Sequence, residues 1–154
     1  MSIAEFLKPE LIWTQADVET SKDVFETVYN KGMEHNFVND HFLEKISERE
    51  QTFPTGLQLD GYGVAIPHTD PDCIKEQFIA VLLPKEGVPF KRMDDASQEV
   101  DAKVIFVLGL NEPHSQLTML QELMGILQEK EVVQKLRDSN SKEEVIDYLG
   151  NLSK

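Results

Sequence analysis

Two long, mainly apolar segments constrain the fold of this chain more than any other feature of its sequence. Residues 77–83 read Gln-Phe-Ile-Ala-Val-Leu-Leu, and residues 102–110 read Ala-Lys-Val-Ile-Phe-Val-Leu-Gly-Leu. A strand with one face in water alternates apolar and polar residues, whereas a strand that is covered on both faces reads as a continuous apolar run. The two segments therefore predict central strands of a sheet that has helices packed on both sides.

The remaining segments supply the helices and a hairpin. Periodic apolar positions and capping residues predict five helices, over residues 17–34, 40–51, 114–129, 131–138 and 141–150. Residues 57–59 and 63–66 predict two short strands that are joined by an Asp60-Gly61 turn. We expect helices first, then strands, then helices, in an α/β fold with a small mixed β-sheet flanked by helices on both sides, a three-layer sandwich. A length of 154 residues fits a single domain spanning residues 1–154.

The chain is strongly acidic, with 15 Lys and Arg against 28 Asp and Glu and a net charge of −13. Such a surface repels nucleic-acid phosphates and anionic lipids, so we expect no nucleic acid as a partner. Cys73 is the only cysteine, which excludes an internal disulfide framework and suits a reducing compartment. Because the sequence has neither a signal-peptide pattern nor an apolar run near the roughly 20 residues of a membrane helix, we expect a cytoplasmic protein.

A histidine follows the strand predicted at residues 63–66, in the step Ile66-Pro67-His68. Side chains at the ends of strands project from a rigid sheet into the cleft where α/β folds hold their ligands. An imidazole with a pKa near its usual value of about 6.5 can be a neutral nucleophile at pH 7. His68 is therefore a candidate catalytic residue, and the alternative is a loop histidine without chemistry.

A second histidine and an arginine are further candidates. His114 follows Pro113 at the start of the helix predicted after the second apolar strand, where free N–H groups and the helix dipole favour an anion. The alternative is a polar residue that faces water. Arg49 lies at the end of the second predicted helix, and its guanidinium matches the oxygens of a phosphate. The alternative is a surface arginine paired with Glu48 or Glu50.

These residues together resemble a known family. Residues 63–68, Gly-Val-Ala-Ile-Pro-His, are similar to the active-site signature of the enzyme IIA domain of the phosphoenolpyruvate-dependent sugar phosphotransferase system, of the mannitol/fructose type. The resemblance covers essentially the whole chain, including an arginine before the first strand and a second histidine after a late apolar strand. It implies that His68 carries a phosphoryl group, with His114 and Arg49 as supporting residues.

Within that family the chain most resembles the galactitol-type proteins. The similarity rests on Phe-Pro-Thr-Gly-Leu at residues 53–57 and Val-Pro-Phe-Lys-Arg-Met at residues 88–93. Two features depart from the common pattern. Thr69 follows the histidine where a small residue is commoner, and the turn at residues 60–63 is one residue longer than the commonest form.

The resemblance also implies a relay of phosphoryl transfers. The phosphocarrier HPr would donate a phosphoryl group to His68, which would pass it to a cysteine of enzyme IIB, and the membrane component IIC would transport the sugar. Each transfer is an in-line displacement that depends on positioning and on charge stabilisation. The scheme requires neither a cofactor nor a metal ion in this chain.

Three alternatives to this function remain open at the level of sequence. His68, Asp70, Asp72 and Cys73 place four potential metal ligands within six residues, and His114 could join them, which would suit a metal-dependent hydrolase. A regulatory enzyme IIA of the nitrogen type would share the same signature but signal to other proteins. A plain interaction domain would have lost the chemistry.

Overall fold

A mixed sheet of six strands forms the centre of the protein in the computed structural model, which describes residues 3–152. The strands are β1 (Leu7–Ala16), β2 (Gly56–Gln58), β3 (Gly63–Ala65), β4 (Phe78–Pro84), β5 (Val88–Lys91) and β6 (Glu99–Gly109). Their order is β1-β4-β6-β3-β2, and β5 pairs with residues 99–102 of β6. The pairs β1–β4 and β3–β6 are parallel and the other pairs are antiparallel, which confirms the predicted mixed sheet.

Five α-helices cover the two faces of this sheet within residues 3–152. They are α1 (Ser21–Glu34), α2 (Phe42–Thr52), α3 (Pro113–Leu127), α4 (Lys130–Arg137) and α5 (Lys142–Leu152). Two short 3-10 helices lie at Ile3–Phe6 and Pro71–Cys73. In the part of the chain that the structure describes, no helix combines the length and the hydropathy that crossing a bilayer requires.

Each face of the sheet has its own apolar core, as the unbroken hydrophobicity of β4 predicted. All seven residues of β4 are buried. Alternate side chains of β4 point to opposite faces, so Phe78, Ala80 and Leu82 pack with α1 and α2. Ile79, Val81 and Leu83 pack with α3, α4 and α5 on the other face. The helices on both sides confirm the three-layer α/β architecture.

The predicted order of elements is wrong at the start of the chain. A ten-residue strand, β1, precedes the first helix and pairs with β4 at the edge of the sheet. The helix predicted over residues 17–34 begins at Ser21, because the Thr20 hydroxyl accepts the Asp23 N–H at 3.1 Å and the Asp23 carboxylate accepts the Thr20 N–H at 3.2 Å. This reciprocal capping box fixes the first turn four residues later than Asp17.

The other predicted elements lie within three residues of their observed bounds. The β2–β3 hairpin is antiparallel as expected, and Gly61 adopts φ 85° in its turn, a conformation that glycine reaches without steric cost. The second strand missed by the prediction is β5, four residues long with a proline at its second position. Residues 1–2 and 153–154 of the predicted domain lie outside the described residues.

Two parallel strands bring the predicted histidines to one edge of the sheet. Ala65 pairs with Ile105 of β6, and three residues further on His68 forms an isolated bridge with Leu108. The Leu108 N–H donates to the Pro67 carbonyl at 2.9 Å, which fastens the segment after β3 to the end of β6. Helix α3 begins at Pro113, four residues after β6 ends, so His114 and His68 emerge from the same edge.

Candidate active site

The ring of His68 is oriented by its own backbone. Its Nδ1 lies 3.1 Å from the carbonyl oxygen of Ile66. A carbonyl can only accept a hydrogen bond, so Nδ1 carries the proton of the neutral ring and Nε2 keeps its lone pair. Because the Pro67 carbonyl is hydrogen-bonded to β6, the backbone that carries the ring is held in place, and Nε2 is positioned to attack an electrophile.

The surroundings of His68 favour that neutral ring. Burial lowers the pKa of His68 below its usual value of 6.5; the hydrogen bond to Ile66 raises it in part, and the positive charge of Arg49 lowers it further. The side chain is half-buried, so a partner can still reach it. At neutral pH the ring is therefore uncharged and nucleophilic.

Arg49 lies in the last turn of α2. It is close enough to His68 for its positive charge to lower the pKa of the histidine. Its Nη1 atom is 3.7 Å from Oδ1 of Asp70, and its Cζ atom lies 5.5 Å from the centre of the Phe53 ring. Arg49 thus pairs with the loop after His68 rather than with Glu48 or Glu50, the alternative partners considered from the sequence. The ion pair is long, and the Arg49 side chain is 36% exposed, so its guanidinium can turn towards another anion.

Lys45 joins this cluster and was not identified from the sequence. Its Nζ atom lies 3.9 Å from Oδ2 of Asp70. Lys45 and Arg49 are four residues apart on α2, a spacing that places both on one face of a helix, and this spacing was the available signal. Two cations therefore converge on one carboxylate, two residues along the chain from His68.

His114 occupies the second position of α3 and is exposed. The prediction that it begins a helix after Pro113 is correct. Within residues 3–152 no hydrogen bond or ion pair joins it to His68, and it lies at the same edge of the sheet. The structure thus brings Arg49 close to His68 and leaves His114 at the same edge of the sheet, at the positive end of the α3 dipole.

Glu50, the residue after Arg49, turns inward and binds the loop before β2. Its carboxylate accepts the Thr55 N–H at 2.8 Å and the Thr55 hydroxyl at 2.7 Å. Burial raises the pKa of Glu50 to about 7, although the two Thr55 hydrogen bonds oppose this shift. The sequence offered Glu50 only as a surface partner of Arg49, and nothing in its spacing from Thr55 indicates this contact.

The raised pKa of Glu50 predicts a pH-dependent stability. Because the folded state holds this proton more tightly than the unfolded chain, Glu50 stabilises the fold at low pH, and the contribution is lost as the pH rises through about 7. Glu50→Gln keeps a neutral group of the same shape. Urea unfolding should show the variant gaining up to about 3 kcal/mol relative to the parent between about pH 5 and about pH 8.5. If the difference in free energy of unfolding between Glu50→Gln and the parent is the same at both pH values, the raised pKa of Glu50 is contradicted. Glu48→Gln, at an exposed position, serves as the control.

The potential metal ligands after His68 do not converge. Among residues 3–152 no group of three or more His, Cys, Asp or Glu side chains is arranged to hold a metal ion. Asp70 faces Lys45 and Arg49. Cys73 is buried, and burial followed by the neighbouring Asp72 and Asp70 charges raises its pKa, which disfavours a thiolate.

The hydroxyl of Thr69, next to His68, is buried and has no hydrogen-bond partner among the described residues. The hydroxyl therefore makes no hydrogen bond to the described backbone of its own loop. Together, the site presents a nucleophilic nitrogen, two cations and a helix N-terminus, which suits the transfer of an anionic group.

Comparison with known families bears on the function that such a site could serve. The family model described as phosphoenolpyruvate-dependent sugar phosphotransferase system, EIIA 2, matches residues 5–151. The chain belongs to this family. Membership in the EIIA 2 family makes the chain a relative of phosphotransferase components and supports a phosphoryl-carrier role.

Individual EIIA relatives agree with the family match. The chain is 31% identical over 114 residues to the galactitol-specific EIIA component of Escherichia coli (strain K12), covering 74% of this chain and 75% of the relative. The solved structure of nitrogen regulatory protein IIA-Ntr from Neisseria meningitidis superposes with a TM-score of 0.79 at 28% identity, covering 96% and 98% of the two chains. Enzyme IIA mannitol of Escherichia coli, solved in complex with phosphorylated enzyme IIB mannitol, gives a TM-score of 0.75 at 19% identity, covering 94% and 97%.

The EIIA 2 match and the structure agree on the fold, since the solved neighbours have the same α/β architecture. The match covers β1, which the sequence prediction missed, as well as every element that lies at the site.

Proposed function

We propose that this protein carries a phosphoryl group on Nε2 of His68, accepting it from HPr and passing it to a cysteine of enzyme IIB. The observation that carries the proposal is the hydrogen bond from Nδ1 to Ile66, which leaves Nε2 as the free nucleophile beside Arg49. Nε2 attacks the phosphorus of phospho-HPr, and the donor histidine leaves with the electron pair of the broken N–P bond. In the second step a thiolate of IIB attacks the same phosphorus, and His68 leaves with the electrons.

The surrounding groups serve the phosphoryl oxygens. The transition state of such a transfer is loose, and its charge spreads over three oxygens. Arg49 offsets that charge from α2, and His114 donates to an oxygen from α3, whose N-terminus also favours an anion. The Ile66 carbonyl stabilises the Nδ1–H while the ring carries the phosphoryl group. No metal ion or cofactor is needed for this transfer.

The exposed surface near these groups is suited to the docking of another protein. Phe53, against which Arg49 lies, is 62% exposed, and Leu117, one turn after His114, is 58% exposed. Large apolar side chains at the centre of a contact, with charges around them, are typical of protein recognition. The partners would be HPr and IIB in the cytoplasm, with the membrane component IIC reached through IIB.

The sugar and the role are assigned from the relatives. Galactitol is the proposed sugar, since the galactitol-specific relative is 31% identical. The second candidate is a regulatory role of the nitrogen type, which is favoured by the 28% identity to IIA-Ntr.

Incubation with phosphoenolpyruvate, enzyme I and HPr tests the proposal, followed by addition of a galactitol-type IIB. We expect an acid-labile phosphoryl group on the protein, detected by mass spectrometry under alkaline conditions, and its rapid loss to the IIB cysteine. Failure to take up phosphate would overturn the phosphoryl-carrier proposal. Uptake without transfer to any sugar-type IIB would favour the regulatory role.

The Asp70 ion pairs predict a second effect. Asp70 competes with the phosphoryl group for Arg49 and Lys45, which lie 3.7 and 3.9 Å from its oxygens, and its charge repels the phosphoryl dianion. Asp70→Asn should shift the equilibrium with phospho-HPr towards the phosphorylated protein by about three- to tenfold, the size expected for partly exposed charges. The measurement is the distribution of label between the two proteins. Exposed Asp72→Asn is the control, and a shift towards phospho-HPr would mean that Asp70 instead holds Arg49 in place.

A further inference from the structure

The last turn of α2 sends two adjacent side chains in different directions. Arg49 reaches outward to Asp70, whereas Glu50 reaches back to Thr55, which is 3% exposed. Thr55 donates two hydrogen bonds, one from its N–H and one from its hydroxyl, and the Glu50 carboxylate accepts both. Residues 53–55 belong to no helix or strand, so these two bonds fasten the loop between α2 and β2.

A series of hydrogen bonds leads from this loop to the reacting ring. The Thr55 carbonyl accepts the Ile66 N–H at 3.3 Å, and the Ile66 carbonyl faces Nδ1 of His68 at 3.1 Å. Ile66, whose carbonyl orients the His68 ring, is therefore hydrogen-bonded to Thr55, and Thr55 is in turn hydrogen-bonded to Glu50. We propose that Glu50 is a positioning residue that, through Thr55 and Ile66, keeps the proton of the neutral His68 ring on Nδ1 and the lone pair on Nε2.

Geometry explains why this position matters. Ile66 follows the last residue of β3, so its N–H and carbonyl lie outside the regular pairing of the strand. Its two backbone groups are satisfied by Thr55 on one side and by His68 on the other. A loop that drifts away from Glu50 would release the Ile66 N–H and allow the peptide to rotate. The ring would then lose its acceptor, and the proton could move to Nε2, where it blocks attack.

The inference rests on the proposed role of His68, and its test has a readout that does not need phosphoryl transfer. Nitrogen NMR of the histidine ring at about pH 8 reports which nitrogen carries the proton. Glu50→Ala removes both bonds to Thr55, whereas Glu50→Gln offers an oxygen to the N–H and an amide to the hydroxyl. We expect Glu50→Ala to lower the Nδ1–H fraction and to slow phosphoryl uptake from phospho-HPr about tenfold, the scale on which supporting partners act. Glu50→Gln should stay within about twofold of the parent.

Two further comparisons provide a control and an alternative variant for this test. Exposed Glu48→Ala, on the same turn, should leave both the ring signals and the uptake rate unchanged. Should Glu50→Ala not fold, Thr55→Ala removes only the hydroxyl bond and should give a smaller change in the same direction, which Thr55→Ser restores. An unaltered Nδ1–H fraction in folded Glu50→Ala, or in Thr55→Ala in its place, would overturn the positioning role. If the parent instead takes up no phosphate while the ring signals change as expected, the proposed function fails and the positioning role stands.

Discussion

His68→Ala should lose phosphoryl uptake from phospho-HPr, to below about 0.1% of the parental rate, because the substitution removes the attacking atom itself. The substitution should leave the fold intact, since His68 is half-buried and, among residues 3–152, its ring forms a hydrogen bond only with the Ile66 carbonyl. Uptake of label and circular dichroism, measured on the same preparation, separate loss of chemistry from loss of structure.

The chain supplies its own controls for this result. The ring of His35 stacks on Phe37 at 5.6 Å, and the exposed His41 lies 3.7 Å from Asp40, so the contacts described for these two rings are with residues other than His68. His35→Ala and His41→Ala should both take up label at the parental rate. His114→Ala should slow transfer about ten- to a hundredfold and leave the label on His68. Full labelling of folded His68→Ala would place the phosphoryl group on another residue.

The sheet was predictable where both of its faces are covered and not where one edge is open. β4 and residues 104–109 of β6 are apolar throughout because helices pack on either side of them. β1 pairs with β4 alone among the described strands, so its other edge tolerates Lys8, Pro9 and Glu10, which mask its periodicity. β5 is short and contains Pro89, and its alternation of buried and exposed residues covers only four positions.

Candidate residues of the site could be predicted from sequence where the type of side chain itself indicates a chemical role. His68 and Arg49 could be proposed as candidates because a histidine at a strand end and an arginine before a strand each suggest a chemical role. The Glu50–Thr55 contact spans a loop whose path depends on packing, and no periodicity encodes it. Asp70 was seen as a potential metal ligand, yet its neighbours in space are two cations from α2. Charge pairing across elements is set by the fold, not by local spacing.

Gly56→Ala should destabilise the protein by about 2–3 kcal/mol, because a Cβ at this position meets backbone that cannot easily move. It would lie 2.6 Å from the Lys91 carbonyl oxygen and 2.9 Å from Cγ2 of Val100. Lys91 is held in the β5–β6 ladder opposite Glu99, so relief of the contact requires a shift of paired strands. Urea unfolding measures the loss, and the melting temperature should fall by roughly 5–10 °C.

Gly125→Ala is the matched control, since a Cβ there meets nothing within 4 Å and the residue lies inside α3. It should stabilise the protein by up to about 1 kcal/mol through helix propensity. Equal stability of the two variants would contradict the close approach of β2 to β5. Gly56 also follows Thr55 directly, so a shifted β2 would disturb the bond from Ile66 to the Thr55 carbonyl. Folded Gly56→Ala should therefore transfer phosphate more slowly than the parent, whereas Gly125→Ala should not, which separates a local effect at His68 from a general change in stability.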